Sequence, residues 1–277
     1  MTQRNSIAPP KAAPSIPVIV IKLGGRALDA PGAEAELADA LTALEGHAVL
    51  VHGGGNEVTA WCQRLGHTPQ FQNGLRLTDD TTLEVAAAVL GGLANARRVA
   101  SLRAHGVDAL GLSAGDGGLL EVRLHPDAAQ LGHVGVATGV RLELLEQLLA
   151  LGLTPVVSSI GACDGALLNL NADEVAGALA SGLKARALVM LSDVDGVMLD
   201  GALVSRINAA ELPQLLQRSD IRDGMVPKLR AAARALEGGA QRVCIAAWRG
   251  PETLTQIMNG TQPATTLCRG HEETTYA

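Results

Sequence analysis

Two lysines that lie far apart in the sequence each stand beside an element suited to binding an anion. Lys22 precedes a Leu-Gly-Gly turn, and Lys228 follows an Asp-Gly-Met-Val-Pro segment. Between them, residues 169–173 read Asn-Leu-Asn-Ala-Asp, and the carboxylate of Asp173 can bridge both ammonium groups. Phosphoryl transfer uses such groups, because its transition state spreads negative charge over several oxygens. The sequence therefore predicts phosphoryl transfer, with these two lysines and this aspartate as catalytic residues.

Glycine-rich turns follow the first two apolar runs of the chain. Gly24 and Gly25 come after Lys22, and three glycines at 53–55 come after His52. Glycine lets the backbone aim N–H groups at an anion, and the start of a helix favours negative charge there. Neither turn matches the G-x-x-x-x-G-K-[ST] loop, which excludes a Walker-type nucleotide site. We interpret His52 as a packed or turn-stabilising side chain rather than a base.

A candidate substrate-binding arginine, Arg76, lies in the irregular segment Asn73–Asp79, ahead of a long helical pattern. A planar guanidinium can bind a carboxylate through two parallel hydrogen bonds. A lone arginine is more often paired with a surface acid, so this motif favours a binding role only together with the others. Thr78 or Asp79 is predicted to cap the helix that follows.

Residues 169–173 predict further polar groups at the same site. In a short strand, alternation places Asn169 and Asn171 on one face. Asp173 then falls at the start of a helix, where it can be the N-cap, an organiser of the lysines, or both. Another polar turn, Asp193–Gly196, follows a buried run and suits the ribose or phosphate edge of a nucleotide, or is a simple turn.

Composition and charge narrow the class of protein. The chain has 277 residues and is 47% hydrophobic, so it can bury a large core as one large domain or two lobes. Its net charge of −6 argues against a nucleic-acid partner, since such proteins usually carry a basic face. Aromatic residues make up only 1%, so recognition by aromatic stacking is not expected.

Cysteine usage and the N-terminal segment bear on the compartment. The cysteines are scattered and form no C-x-x-C pair, which favours a reduced, cytoplasmic protein over a zinc site or a disulfide framework.

No apolar run reaches about 20 residues, so no membrane span is predicted. Residues 1–16 are rich in Pro, Ala and Ser and lack the apolar core of a signal peptide. We interpret them as a disordered lead-in. The four cysteines are Cys62, Cys163, Cys244 and Cys268.

Apolar β-branched runs alternate with helical patterns along the chain. Short continuous apolar runs are typical of strands buried on both faces, and their alternation with helices predicts a mainly parallel sheet between two helical layers. The predicted strands are Pro17–Lys22, His47–His52, Val107–Leu112, Thr154–Ser158, Ala187–Ser192 and Arg242–Ala246. The predicted helices are Ala33–Leu44, Glu57–Leu65, Thr81–Ala104, Leu142–Ala150, Asp173–Leu183 and Gly224–Glu237.

Three segments interrupt this alternation and predict hairpins. They are Leu119–Leu124, the glycine-punctuated Gly132–Val140, and a third with an Asp164-Gly165 turn before Ala166–Leu170. An Asp-Gly pair favours the tight turns that join antiparallel strands. Hairpins of this kind often cover an active site.

The order and spacing of these motifs resemble the amino acid kinase family, in particular its members that use N-acetyl-L-glutamate. No single phrase is decisive, but together they are highly specific and span about Val18 to Leu267. The phrases are KLGG (22–25), HGGG (52–55), NGLRLTD (73–79), LGHVG (131–135), PVVSSIG (155–161), NLNAD (169–173), LSDVDG (191–196), DGM before Lys228, and AAWRG (246–250).

The resemblance implies a three-layer αβα sandwich with a mainly parallel central sheet. Residues 17–183 would form the amino-acid-binding lobe and residues 184–277 the nucleotide-binding lobe. It implies transfer of the γ-phosphate of MgATP to the side-chain carboxylate of N-acetyl-L-glutamate, in arginine biosynthesis. Magnesium would be carried by the nucleotide, so no protein ligand for it is predicted. A homodimer is also implied, with the helix Thr81–Ala104 as a candidate interface, although the apolar face of that helix is equally explained by core contacts.

Matched position by position, the resemblance also assigns roles. Lys22 and Lys228 would stabilise the transferred phosphoryl group, with Asp173 holding both. The amides of Gly24, Gly25, Gly54 and Gly55 would receive phosphoryl and substrate oxygens. Arg76 and Asn169 would bind the substrate α-carboxylate. The nucleotide would be lined by Asp193, Val194, Asp195, Gly196, Val197, Met198, Asp220, Ile221 and Arg222.

Three alternatives stay open from the sequence. The first is a kinase for aminoadipate or glutamate linked to an acidic carrier protein, which should have a basic rim around its amino-acid pocket. The second is another amino acid kinase, acting on carbamate, aspartate or a nucleoside monophosphate. The third is a nucleotide-binding regulator without catalysis, against which the joint presence of Lys22, Asp173 and Lys228 argues.

Overall fold

The computed structural model describes residues 17–24, 30–72, 74–222, 224–270 and 275–276. Sixteen strands lie within this part of the chain. They are β1 Val18–Leu23, β2 His47–His52, β3 Phe71–Gln72, β4 Leu75–Arg76, β5 Ala109–Ser113, β6 Leu120–Leu124, β7 Gly135–Val140, β8 Thr154–Ser158, β9 Ile160–Cys163, β10 Ala166–Asn169, β11 Ala187–Ser192, β12 Met198–Leu199, β13 Ala202–Asn208, β14 Arg242–Ala247, β15 Thr265–Cys268 and β16 Thr275–Tyr276.

Helices fill most of the connections between these strands. They are α1 Ala33–Thr42, α2 Gly55–Arg64, α3 Asp80–Ala86, α4 Asn95–Ala104, α5 Ala128–Leu131, α6 Leu142–Ala150, α7 Ala172–Gly182, α8 Leu212–Leu215, α9 Met225–Gly238 and α10 Thr253–Asn259. A π-helical segment, Ala87–Ala94, joins α3 to α4. Among the described helices, none is long and apolar enough to cross a membrane.

One large sheet forms the middle of the molecule. Its strand order is β12-β13-β15-β14-β11-β1-β2-β8-β5, and β16 also pairs with β13. From β14 through β11, β1, β2 and β8 to β5, every pair is parallel. Antiparallel pairs occur only toward the other edge, where β15 and the short strands β12 and β16 lie. The carboxyl ends of the parallel strands therefore share one edge, which is where ligands of open α/β sheets bind.

Alternate residues of the central strands enter two different cores. On β1, Val20 belongs to a core shared with α7 and α9, whereas Ile19 and Ile21 belong to a core shared with α1, α4 and α10. Because side chains alternate along a strand, Lys22 lies on the same face as Val20. The molecule is thus an αβα sandwich, as predicted, and its strand pattern directs Lys22 toward α7.

Helices α7 and α9 contact each other closely at small residues. A Cβ atom added at Gly177 would lie 2.7 Å from the carbonyl oxygen of Ala231, and one added at Gly238 would collide with Ser181. Going from the first contact to the second, both helices advance toward their carboxyl ends, so they run in the same direction. Their amino ends consequently meet at the same edge of the sheet.

Most predicted strands and helices are confirmed, but one prediction about the hairpins is wrong. The strands His47–His52, Thr154–Ser158 and Ala187–Ser192 have the predicted bounds. The segments Leu119–Leu124 and Gly132–Val140 do not form two hairpins. They supply the two paired strands β6 and β7 of one hairpin, with α5 inserted between them, since each strand finds its antiparallel partner in the other segment.

The Asp164-Gly165 hairpin is confirmed. Asp164 and Gly165 have φ angles of 49° and 80°, and they join the antiparallel strands β9 and β10. Positive φ at both central residues is the geometry for which Asp-Gly is favoured. The lead-in predicted for residues 1–16 lies outside the described residues, and the two-lobe division at residue 183 stays a prediction.

Candidate active site

The two lysines and the aspartate singled out in the sequence come together at the carboxyl end of β1. Nζ of Lys22 lies 2.8 Å from Oδ1 of Asp173, and Nζ of Lys228 lies 3.6 Å from Oδ2. Lys22 comes from β1, Asp173 from the first turn of α7, and Lys228 from the first turn of α9. Asp173 is only 5% exposed, so the pairing is shielded from water on most sides.

The N-cap of α7 is Asn171, not Asp173. The Asn171 side-chain oxygen accepts hydrogen bonds from the amides of Asp173 and Glu174, at 2.8 and 3.3 Å. The interpretation of Asp173 as a helix cap is therefore wrong, because its neighbour already satisfies the free amides of that turn. The Asp173 carboxylate is left to hold the lysines.

The charges of this trio depend on one another. Burial acts to raise the pKa of Asp173, but the ammonium groups of Lys22 and Lys228 outweigh it and hold that pKa below its ordinary value. Burial lowers the pKa of Lys228, the charge of Asp173 opposes this, and that of Lys22 reinforces it. Asp173 is thus an anion at neutral pH, held between two cationic side chains.

The second glycine turn places the amino end of α2 beside Lys22. Gly54 is the N-cap residue and has no side chain to satisfy the first amides of the helix, which lack acceptors within the helix. A Cβ atom at Gly54 would lie 2.8 Å from Cδ2 of Leu90, so the turn packs closely against the π-helical segment. This turn is suited to receive an anion, as predicted for Gly54 and Gly55.

In the first glycine turn, the amide of Gly24 does not have the anion-binding role predicted for it. The amide of Gly24 donates to the carbonyl oxygen of Leu191 at 2.9 Å, so it is not directed at a phosphoryl oxygen. A Cβ at Gly24 would lie 2.5 Å from the same oxygen. Glycine is needed here so that the chain leaving β1 can cross the end of β11. Gly25, predicted to line the nucleotide, lies outside the described residues.

His52 is buried beneath the second glycine turn and has partners on both ring nitrogens. Nδ1 lies 2.9 Å from the carbonyl oxygen of Gly53, and Nε2 lies 2.9 Å from Nδ2, the side-chain amide nitrogen, of Asn95. With Nδ1–H donating and Nε2 accepting, the neutral ring satisfies both contacts. Burial, reinforced by the charge of Arg98, lowers the pKa of His52 to about 4. The interpretation as a turn-stabilising histidine is confirmed.

We expect His52 to make the fold sensitive to mild acid. Since its folded pKa lies below the unfolded value near 6.5, its contribution is complete above pH 6.5 and is lost as the pH falls toward 4. The loss should reach ~2 kcal/mol by pH 5. Urea unfolding at pH 7 and pH 5, in the wild type and in His52→Gln, measures it. Equal losses of unfolding free energy in the two proteins would contradict this expectation.

Next to the lysine pair lies a cavity of about 210 Å³, which we call the amino-acid cavity. Arg76 enters it from β4 and is 9% exposed. Its Nη2 donates to the carbonyl oxygen of Gly55 at 2.8 Å and to Oγ1 of Thr59 at 2.9 Å, while the guanidinium lies 4.6 Å from the ring centre of Phe71. Nη1 is buried without a hydrogen-bond partner, so this group is available for an anionic ligand.

Three of the motifs noted in the sequence are joined around this cavity. The backbone of Thr78 exchanges hydrogen bonds with the 131–133 segment: its amide donates to Leu131 at 2.8 Å, and its carbonyl accepts from His133 at 2.7 Å. The amide of Asn169 donates to the His133 carbonyl at 2.9 Å, and its side chain donates to Oγ1 of Thr78 at 3.1 Å. Asn169 is therefore fixed beside Arg76, in the wall of the same cavity. Asp79 caps α3 by accepting from the amide of Thr82.

The segment predicted to line the nucleotide begins at the end of β11. Asp195 forms a 2.6 Å ion pair with Arg249, which follows β14, and the amide of Val197 donates to Oγ1 of Thr265 at 2.7 Å. Val194 and Met198 are exposed, whereas the side chain of Val197 is fully buried. A Cβ at Gly196 would lie 2.4 Å from Oγ1 of Thr265. These contacts hold the segment at the ligand edge of the sheet.

The second predicted nucleotide segment, 220–222, is held by an exposed ion-pair cluster. Arg218 binds Asp220 at 2.8 Å and Asp200 at 3.0 Å, and Asp220 also accepts from the amide of Asp200 at 3.2 Å. Ile221 is buried in the core, so its side chain anchors the segment and cannot itself line a ligand. Arg222 is exposed.

The comparisons with known proteins agree with this geometry. The model of the amino acid kinase family matches residues 17–247. The chain belongs to the amino acid kinase family. Acetylglutamate kinase of Methanopyrus kandleri is 43% identical over 236 residues, covering 82% of this chain and 93% of that protein. Acetylglutamate kinase of Roseiflexus sp. is 44% identical over 225 residues, covering 80% and 86%.

A solved structure shares the architecture. N-acetylglutamate synthase of Neisseria gonorrhoeae, complexed with coenzyme A and N-acetyl-glutamate, superposes with a TM-score of 0.78 at 26% identity. The match covers 92% of this chain and 60% of that one. The three-layer fold of this amino acid kinase is thus supported both by its own strand order and by a structural relative.

Several residues that shape the site were missed at the sequence level. Thr59 holds Arg76, Arg249 holds Asp195, and Arg218 holds Asp220. The Arg218–Asp220 ion pair could have been inferred from the sequence, because the two oppositely charged residues are only two positions apart. The other two pairings join residues far apart in the chain, and only the fold brings them together.

Magnesium is implied by the family. Within the described ranges, no cluster of three or more histidine, cysteine, aspartate or glutamate side chains could hold a metal ion. The Asp173 carboxylate faces two ammonium groups, a donor set that suits an anionic ligand and not a cation. A magnesium ion held mainly by nucleotide phosphates and water would be compatible with this donor set.

Proposed function

We propose that this amino acid kinase catalyses ATP-dependent phosphorylation of the side-chain carboxylate of N-acetyl-L-glutamate, giving N-acetyl-L-glutamyl 5-phosphate for arginine biosynthesis. The observation that carries the proposal is the Lys22–Asp173–Lys228 trio beside a cavity that holds Arg76 and Asn169. Relatives above 40% identity over four-fifths of the chain bear the name acetylglutamate kinase.

The reaction asks the protein to bring two anions together. The acceptor carboxylate has an ordinary pKa near ~4.3 and is ionised at neutral pH, so no general base is required. Lys22 and the amino end of α2 would bind the acceptor oxygens. Lys228 would neutralise the phosphoryl oxygens as charge develops, and Asp173 would keep the two ammonium groups apart and oriented. Bound magnesium would supply charge neutralisation on the nucleotide phosphates.

The nucleotide would lie on the β11–β14 side of the trio. The carboxylates of Asp193 and Asp195 would offer acceptors to a ribose, and the Asp220–Arg222 segment would border the nucleotide from before α9. Gly24 and the amino end of α9 would border the phosphates. The support for this placement is that the first segment follows β11 at the carboxyl edge of the parallel strands, and that the second precedes α9, whose Lys228 contacts Asp173.

Trapping the acyl phosphate with hydroxylamine tests the proposed function. The purified chain is incubated with MgATP and, separately, N-acetyl-L-glutamate, glutamate, aspartate, carbamate and a carrier-linked glutamate. Hydroxamate should form with N-acetyl-L-glutamate at the highest rate. A higher rate with another acid would assign that acid instead, and ATP binding without any product would support the non-catalytic regulator.

Arg76→Lys should weaken N-acetyl-L-glutamate binding and leave the KM for ATP nearly unchanged. Nη1 of Arg76 is buried without a partner while Nη2 is held by Gly55 and Thr59. A lysine cannot make both sets of contacts, because its ammonium is a single point of charge. Steady-state kinetics with each substrate varied in turn provide the measurement. Equal changes in both KM values, or no change, would contradict a substrate-binding role.

We also propose a cytoplasmic homodimer. The outer face of the long helix from α3 to α4 exposes small residues, including Ala88, Gly92 and Ala96, and it adjoins the edge strand β5, where Leu110 is 36% exposed. Small residues permit close approach of a second copy. Light scattering after size exclusion gives the mass in solution, and a monomer at micromolar concentration would contradict the dimer.

A further inference from the structure

A second cavity, of about 350 Å³, adjoins the amino-acid cavity on the side away from the glycine turns. We call it the outer cavity. It lies between the β6–β7 hairpin and α9. Leu75, Val134 and Asn171 line both cavities, so the two spaces adjoin at these three residues. Its volume exceeds that of the amino-acid cavity, and the proposed reaction with an acetylated substrate makes no use of it.

Helix α9 contributes two guanidinium groups to the outer cavity, those of Arg230 and Arg234. Arg234 lies 3.4 Å from Oε1 of Glu174, and the same Glu174 oxygen accepts from the amide of Ala137 at 3.1 Å. Arg230 is exposed and has no hydrogen-bond or ion-pair partner among the described residues. Arg230 therefore carries a positive charge that is paired with no acidic side chain in the described part of the chain.

The acidic side chains that line this cavity form no ion pair with Arg230. Asp127 is exposed and faces His125, with 3.9 Å between its Oδ2 and Nδ1. Glu174 is already shared between Arg234 and a backbone amide. The cavity thus offers one free guanidinium beside a satisfied Glu174–Arg234 pair, which suits a ligand with a single carboxylate.

The third substituent of the proposed substrate, its N-acyl group, would lie at the boundary between the amino-acid cavity and the outer cavity. Its side-chain carboxylate would lie at Lys22, and its α-carboxylate at Arg76 and Asn169. The N-acyl group would face the wall shared with the outer cavity, where Leu75, Val134 and Asn171 lie. The side-chain oxygen of Asn171 is used in capping α7, which leaves its amide nitrogen to donate to an acyl carbonyl. An acyl chain longer than acetyl would continue past Asn171 into the outer cavity.

From this continuity we propose that the outer cavity is a subsite for the acyl chain. It accommodates N-acyl-L-glutamates whose acyl chain is longer than acetyl and ends in a carboxylate, and Arg230 binds that carboxylate. The inference rests on the proposed function, since it takes the orientation of the bound amino acid from it. It adds a substrate class, glutamate N-acylated by a dicarboxylic acid, to the acetylated one.

Isothermal titration calorimetry with two matched ligands tests the subsite. N-Succinyl-L-glutamate carries the terminal carboxylate, and N-succinamoyl-L-glutamate has the same shape with a neutral amide. The wild type should bind the succinyl compound about fivefold more tightly, as for one partly exposed ion pair. Arg230→Gln should remove this preference. Arg269→Gln is the matched control, because Arg269 is exposed after β15, at the opposite edge of the sheet, and it should retain the preference.

Equal affinity for the two ligands in the wild type, or a preference that survives in Arg230→Gln, would overturn the subsite. Hydroxylamine trapping on the same samples separates this failure from failure of the proposed function. Phosphorylation of N-acetyl-L-glutamate without a charge preference in binding rejects the subsite alone. A preference that depends on Arg230, without phosphorylation of any N-acyl-glutamate, supports the subsite and rejects the kinase activity.

Discussion

Replacing Asp173 with asparagine should reduce turnover about 100-fold or more while the protein stays folded, since misplacement of reacting groups by about 1 Å has effects of that size. Asp173 holds Lys22 and Lys228 at 2.8 and 3.6 Å. Asparagine keeps the shape of the side chain but removes the negative charge that offsets two ammonium groups. The lysines would then repel each other and move away from the positions that face the transferred phosphoryl group.

Retention of the fold is part of this prediction because Asn171 already caps α7. The experiment compares initial rates at saturating ATP and N-acetyl-L-glutamate with thermal melting curves. Asn171→Ala serves as the structural comparison, since loss of a helix cap costs ~1 kcal/mol of stability. Asp173→Asn should stay folded at the assay temperature, as Asn171→Ala does, while its turnover falls. Wild-type turnover in Asp173→Asn would reject the organising role.

Lys228→Ala should also lower kcat strongly, with a much smaller change in the KM for N-acetyl-L-glutamate. Lys228 stands on α9, away from the amino-acid cavity, and its ammonium faces the site through Asp173. A donor that acts on developing charge contributes ~3 kcal/mol to the transition state, which corresponds to a decrease in kcat of about two orders of magnitude. Ground-state binding of the amino acid should be largely retained.

Lys184→Ala is the matched control for this variant, because Lys184 is a described lysine in the turn after α7, outside the site. Its kcat should equal that of the wild type. Rates are measured with each substrate varied in turn. A kcat for Lys228→Ala within about tenfold of the wild type (~1.4 kcal/mol) would show that Lys228 does not stabilise the transition state.

The meeting of Lys22, Asp173 and Lys228 could be predicted because each of them is placed by the residues that flank it. Lys22 ends a buried strand, and alternation along that strand decides which layer it faces. Asp173 and Lys228 both stand in the first turn of a helix, as their flanking residues indicate. Parallel strands bring such positions to one edge, so buried apolar runs were enough to predict the meeting of the three side chains.

Other features depend on contacts that the pattern of residues does not reveal. The pairing of β6 with β7 joins segments separated by α5, and only the assembled fold selects that partner. Glycine at position 24 suggested an anion-binding amide, yet its N–H is used by Leu191. Asn171 and Asp173 are both good capping residues, and their order along the turn decides which of them caps the helix.

The convergence of helix amino ends on the lysine pair has a practical consequence for handling this protein. Helices α2, α7 and α9 all begin there, so the ligand-free site carries surplus positive charge. Sulfate or inorganic phosphate from a buffer or a crystallisation drop should bind in this site. Rates measured in phosphate buffer would then understate nucleotide affinity, and melting curves recorded in sulfate would overstate the stability of the ligand-free chain. Chloride-based solutions of low ionic strength are the proper reference state.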